Sequence, residues 1–175
     1  MPSLPSPSWP VLALAAALGA CSPTFNWREV PIADAGLVAL LPCKADRAQR
    51  AVPLGAESVQ VDMTGCESGG ATFAVAHAVA TSPAQAEAWR NAWRTATIGQ
   101  LGEAQPTEAL AVLPRASAMP APVRLEAQQG GAPIHVLWFA QSQKDGSVSL
   151  YQATVVGRPS SPEATRTFFE GLRLP

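Results

Sequence analysis

Charge is scarce in this chain. Of its 175 residues, 14 % are Asp, Glu, Lys or Arg, and the formal net charge is −1. The twelve Lys and Arg are scattered, with no basic stripe. Such a chain has no field to draw in a polyanion, which argues against nucleic acid as a partner. Histidine is nearly absent: only His77 and His135 occur, neither at ligand spacing from the three cysteines. A zinc site needs three or four such ligands, so no metal is expected. No Gly-x-Ser-x-Gly elbow is present. No Gly-Lys-Ser/Thr follows the paired glycines Gly69-Gly70 and Gly130-Gly131, which therefore read as turns rather than phosphate loops. The cysteines form no Cys-x-x-Cys pair of the redox type. No catalytic set and no cofactor is expected, and no internal repeat is visible. What remains is 47 % hydrophobic residues, many of them Ala, with 17 Pro and 13 Gly to break the chain into short elements. The length suits one ordinary domain.

Residues 11–19 read Val-Leu-Ala-Leu-Ala-Ala-Ala-Leu-Gly. A bilayer span needs about 20 apolar residues, so this run is too short to cross. It has the length of a signal-peptide core with small residues after it. Leu18-Gly19-Ala20-Cys21 resembles the lipobox of bacterial lipoproteins. That resemblance implies removal of residues 1–20, a diacylglycerol on the Cys21 thiol, and a further acyl chain on the freed amine. Several acyl chains make a stable anchor where one is marginal. Residues 1–10 carry no Lys or Arg, a departure from the usual positive start. Ser22 after the cysteine resembles the class sorted to the outer membrane. The expected location is the cell envelope, lipid-anchored at the outer membrane and facing the periplasm. Residues 21–29 would be a tether and 30–175 a single domain. Phe25 and Trp27 rest either at the lipid interface or on the domain, with packing favoured.

Setting Cys21 aside leaves Cys43 and Cys66. In an oxidising compartment two cysteines are expected to pair. Free thiols and metal binding are the rival readings.

Leu37–Leu41 is an apolar run ended by Pro42-Cys43 and reads as a buried strand. Charged Lys44–Arg50 reads as a turn or short connection. Val59, Val61 and Met63 alternate with polar residues, and Phe73, Val75, His77 and Val79 alternate with small ones; both are strand signatures. Gly65, Gly69 and Gly70 are expected to break the chain into a hairpin there. Ser82-Pro83 opens a helix to about Ile98, with Ser82 as N-cap and Gly99 or Gly102 as its stop. Ala86, Trp89, Trp93 and Ala96 share one face of it. A short strand is expected at Ala109–Leu113, then strands at Val123–Gln128, Ile134–Ala140 and Val148–Val156, with Asp145-Gly146 as a hairpin turn. A final helix is expected over about 162–172. Strands, helix, strands, helix makes an α+β fold: an antiparallel sheet with a central helix (83–98) and a C-terminal helix.

That order resembles the PsbP-like fold over roughly residues 36–175. The resemblance rests on the early strand ending at Pro42, the central helix, the late hairpin and the closing Phe168-Phe169-Glu170-Gly171-Leu172-Arg173-Leu174. Members of that superfamily are mostly accessory and scaffold proteins, which implies no chemistry. The functional expectation is a non-catalytic, lipid-anchored protein that binds or stabilises another envelope component, with a membrane contact through Cys21 and a protein partner. One alternative is a carrier of an apolar small molecule between helix 83–98 and the sheet. A second is an envelope hydrolase, which needs a His or carboxylate pair converging in a cleft; His77 and His135 read instead as structural. The one sequence feature with a binding character is Trp89, Arg90, Trp93 and Arg94. It would form a site if the tryptophans faced solvent, and part of the core if they packed on the sheet.

Overall fold

A computed structural model describes residues 23–102 and 105–175. The segment expected to be a signal peptide, and Cys21, lie outside the described residues. The elements run β1 (Arg28–Ile32), β2 (Leu37–Leu41), β3 (Asp46–Leu54), β4 (Glu57–Ser68), β5 (Ala71–Ala80), α1 (Pro83–Gln100), β6 (Thr107–Leu110), β7 (Val123–Gln129), β8 (Ala132–Ser142), β9 (Val148–Gly157) and α2 (Ala164–Glu170). Strands β3 to β9 form one antiparallel sheet in the order β3-β4-β5-β9-β8-β7-β6, while β1 and β2 pair as a separate hairpin. The α+β class with a mostly antiparallel sheet is as expected, but strands dominate more than the sequence pattern suggested.

Three layers result. On one face of the sheet lies α1, whose buried residues are Ala86, Trp89, Trp93 and Thr97. Thr97, not the exposed Ala96, completes that face. Opposite the indoles, β5 presents Ala76, Ala78 and Ala80, and small side chains there leave room for two tryptophans. On the other face lie the β1–β2 hairpin and α2, packed on Phe73, Val75, Phe139, Ala153 and Val155. The central strands are covered on both sides, which is why Ile134–Ala140 of β8 is apolar on both faces apart from His135. Phe25 and Trp27 pack against this second cluster, and Trp27 meets Phe73 edge-on with centroids 6.2 Å apart.

Several boundaries differ from the sequence reading. Lys44–Arg50 is not a turn: β3 occupies Asp46–Leu54 as an exposed edge strand, paired with β4 from Asp46↔Gly65 to Leu54↔Glu57. Its charges fooled the pattern because an edge strand at the rim needs no apolar face, and charge there discourages strand-to-strand aggregation. Gly65 does not break β4. A Cβ at that position would come within 2.6 Å of the Phe73 carbonyl oxygen, so glycine allows a close approach of β5. The turn is made by Gly69 (φ +58°) and Gly70 (φ +84°), both left-handed as a two-residue hairpin requires. The short strand β6 covers Thr107–Leu110 rather than 109–113, and α2 covers 164–170 rather than 162–172. Helix α1 runs two residues past Ile98.

The Cys43–Cys66 disulfide is present, with Cα atoms 6.0 Å apart. It does not staple neighbouring strands of one sheet. Cys43 follows β2 of the hairpin and Cys66 lies in β4, so the bond ties the hairpin layer to the main sheet.

Candidate functional site

The hairpin layer stops short of covering its face of the sheet. Its turn, Ala33–Gly36, lies over Tyr151, whose hydroxyl donates to the Ala35 carbonyl at 3.3 Å. Beyond that turn the face is open, and Val79 is 52 % exposed. A trough of about 960 Å³ lies there, bounded by the β1–β2 turn, by β3 to β5, and by the β8–β9 turn.

Strand register sets one row of side chains opposite one another: Gln49 on β3, Asp62 on β4 and His77 on β5 line the trough, and Tyr151 on β9 and Phe139 on β8 continue the row fully buried. Gln49 Nε2 donates to Asp62 Oδ1 at 2.7 Å. His77 Nδ1 lies 3.7 Å from Asp62 Oδ2, just beyond hydrogen-bond reach. The imidazole lies against the Tyr151 ring, tilted by 32° with centroids 5.0 Å apart, and Tyr151 stacks on Phe139 at the same spacing. His77 is 3 % exposed, and neither of its ring nitrogens has a hydrogen-bond partner. Burial pushes its pKa below the ordinary histidine value, against the opposing pull of the Asp62 carboxylate. Burial likewise pushes the Tyr151 hydroxyl up to about 12, with Ser149 pulling it down.

At this same row the sheet forks. Strands β4 and β5 pair from Ser68↔Ala71 only as far as Asp62↔His77. Past that point Glu57–Val61 pairs only with β3, and Ala78–Ala80 only with β9. The gap is a slot of about 460 Å³ that continues the trough, with Trp89 and Val59 among its lining. Its mouth is bridged by Gln85, which accepts from the Thr81 amide at 2.7 Å and donates to Glu57 at 3.0 Å. The Trp89 indole also donates to Glu57, at 3.1 Å.

The sequence feature at Trp89, Arg90, Trp93 and Arg94 is built into the fold. Trp89 and Trp93 are 6 % and 7 % exposed and face the sheet, which is the core alternative rather than a solvent-facing patch. Arg90 pairs with Glu87 at 3.6 Å, and Arg94 forks onto Glu108 of β6 at 2.5 and 2.6 Å. Of these four, Trp89 alone lines the slot. His135 lies elsewhere, 3.8 Å from Glu126. Its partner on β9 is Val155, four residues from the Tyr151 opposite His77, or about 13 Å along the strand. Cys21 lies outside the described residues. Among the described residues no three His, Cys, Asp or Glu converge as a metal site, and no helix is long and apolar enough to cross a membrane. No family model and no curated protein matches the chain.

The buried His77 has a measurable consequence. The folded chain resists its protonation, whereas the unfolded chain takes up the proton near the ordinary value of about 6.5. Stability from this group is therefore complete above that pH and falls as pH drops through it. The charges facing it are Asp62 on β4 and, around the trough, Arg47, Asp34, Lys144 and Asp145. A His77→Phe variant keeps a ring against Tyr151 without a titrating group. The difference in urea midpoint between wild type and variant is expected to shift against wild type from pH 7.5 to pH 5, and a constant difference would contradict the assignment.

Proposed function

We propose that this is a lipid-anchored protein of the cell envelope that binds another envelope component in the trough at His77, without catalysing a reaction. The observation that carries this reading is the buried imidazole, lining an open trough with both nitrogens unpartnered. A buried polar group without a partner costs about 1–3 kcal/mol, and a ligand that supplies the missing hydrogen bonds recovers it. The location rests on the lipobox resemblance at Leu18-Gly19-Ala20-Cys21, and a PsbP-like relationship is consistent with the layered antiparallel sheet.

The hydrolase alternative has one observation in its favour, the approach of His77 to Asp62. It lacks a nucleophile: among the described residues no hydroxyl or thiol is hydrogen-bonded to the imidazole. The apolar-carrier alternative needs space between α1 and the sheet, where Trp89 and Trp93 pack on Val59, Val61, Ala78 and Leu150.

Two measurements test the proposal. Cys21→Ser is expected to lose the acyl mass and move from the membrane to the soluble fraction, or to persist uncleaved; unchanged mass and membrane attachment would remove the anchor. A photo-crosslinking residue at Val79, inside the trough, is expected to capture a discrete envelope component in intact cells. The same residue at exposed Val112 is expected to capture none. Equal yields from the two positions would argue against the trough.

A further inference from the structure

Which chemistry the site accepts follows from the groups that line the slot. The slot between the splayed ends of β4 and β5 has a carboxylate at each end, Asp62 at the fork and Glu57 at the mouth. They are five residues apart on one strand, about 17 Å, and that odd spacing puts them on opposite faces of the sheet, so the slot joins the two faces through the gap between the strands. No Lys or Arg lines the slot between them. Neither carboxylate has a cation with a permanent charge against it. Asp62 accepts from the Gln49 amide, and Glu57 accepts from the Gln85 amide and the Trp89 indole. Between the carboxylates the walls are Val59, Ala78 and Val79, which suit a methylene stem. At the fork the buried His77 lines both the slot and the wider trough, with no donor or acceptor to satisfy it.

We propose that the slot binds a primary ammonium group on an extended apolar stem, with the ammonium held between Asp62 and His77 at the fork. This rests on the reading of the trough as a binding site. An ammonium carries three donors and no acceptor. One N–H donates to the free Asp62 oxygen, where a charge-assisted bond forms. A second donates to the unprotonated imidazole nitrogen, which has no donor of its own to meet. A hydroxyl in the same place would satisfy the imidazole but leave the carboxylate charge unmatched. A carboxylate or phosphate would meet Asp62 with like charge. The wider trough contains Arg47 and Lys144 as well as Asp34 and Asp145. Arg47 is engaged with the Pro31 carbonyl at 2.9 Å, and Lys144 is exposed on the β8–β9 turn. The cationic preference therefore belongs to the slot and not to the whole trough.

The ammonium has two natural sources, a free polyamine or the lysine side chain of a partner protein. Glu57 separates them. A linear polyamine reaches from Asp62 to Glu57 and engages both ends, whereas a single lysine engages Asp62 alone.

The test titrates the full chain in detergent solution with 1,12-diaminododecane and with Nα-acetyl-lysine N-methylamide, following the His77 ring nitrogens by 15N NMR. Hexanediol is the uncharged control, and tetramethylammonium is the charged control without N–H donors. One or both amines are expected to move the His77 signals saturably, and the two controls to leave them in place. Asp62→Asn, a change on a half-exposed residue of the same shape, is expected to weaken binding at least tenfold with an unchanged melting temperature. Glu57→Gln is expected to weaken the diamine several-fold and to leave the lysine compound unaffected. Saturation by hexanediol, or full binding to Asp62→Asn, would overturn the proposal. So would a silent His77 with both amines. If the Val79 crosslink still captures its component in that case, only the ammonium assignment falls; if it captures nothing, the binding reading falls with it.

Discussion

Replacing Phe73 by alanine is expected to destabilise the protein by about 4 kcal/mol, in the upper range for a buried aromatic cut back to a methyl. Phe73 is fully buried on β5, one strand from the centre of the sheet. Its ring meets Phe168 of α2 at 5.7 Å and Trp27 at 6.2 Å, both edge-on. It thus holds the helix and the start of the described chain against one face, and its removal leaves a hole that three separate elements would have to close. Edge-to-face aromatic pairs add roughly 0.5–1.5 kcal/mol beyond burial, so two lost pairs push the cost upward. Urea unfolding monitored by tryptophan fluorescence measures it. A change below about 1.5 kcal/mol, the level tolerated for volume-conserving swaps, would mean that the hairpin layer is not docked as described.

Breaking the Cys43–Cys66 bond, by Cys43→Ala with Cys66→Ala or by reduction, is expected to cost about 3 kcal/mol. The bond closes a segment of 23 residues that contains all of β3 and most of β4. In the chain-entropy account the loss comes from a freer unfolded state, and a loop of this length sets the magnitude. For a domain of this size that corresponds to a drop in melting temperature of roughly 10 °C, read by calorimetry with and without reductant. An unchanged melting temperature in the double variant would show that the hairpin layer is held by packing alone. Since the bond joins two separate sheets, amide exchange in β1 and β2 is expected to accelerate more than exchange in β9, and uniform acceleration would count against local docking.

Much of the fold was legible in the residues. Ser82 caps α1 by accepting from the Gln85 amide, as Ser82-Pro83 implied. Asp145 accepts from the Ser147 amide and hydroxyl in the β8–β9 turn, as Asp145-Gly146 implied. The pairing of Cys43 with Cys66 followed from counting. Strand β3 was not legible, because a rim strand buries almost nothing and its charges resemble those of a loop. Nor was the β1–β2 hairpin as a separate layer, because only β2 carries an apolar run and Arg28–Ile32 has just two buried positions.

The candidate site was even less visible. His77 and Asp62 stood in the sequence as one histidine among apolar neighbours and one acid on an alternating strand. They are fifteen residues apart, and only the register Asp62↔His77 puts them side by side. The fork of β4 from β5 is also a matter of register: nothing in Glu57–Val61 marks where pairing ends. For the tryptophans and arginines of α1 the sequence offered a site or a core face, and they are core and ion pairs, because a single helix on a sheet must bury its widest apolar face.

By itself the sequence determined the class, the Ser82 cap, the turns at Gly69-Gly70 and Asp145-Gly146, the disulfide pairing and the lipobox resemblance at Cys21. Each of these depends on residues close in the chain or on a count of residue types. Tertiary structure alone decided that a histidine would be buried without partners at the point where two strands part. That decision depends on strand order, on register and on how far one hairpin extends over the sheet, and these are settled by packing between segments distant in the chain.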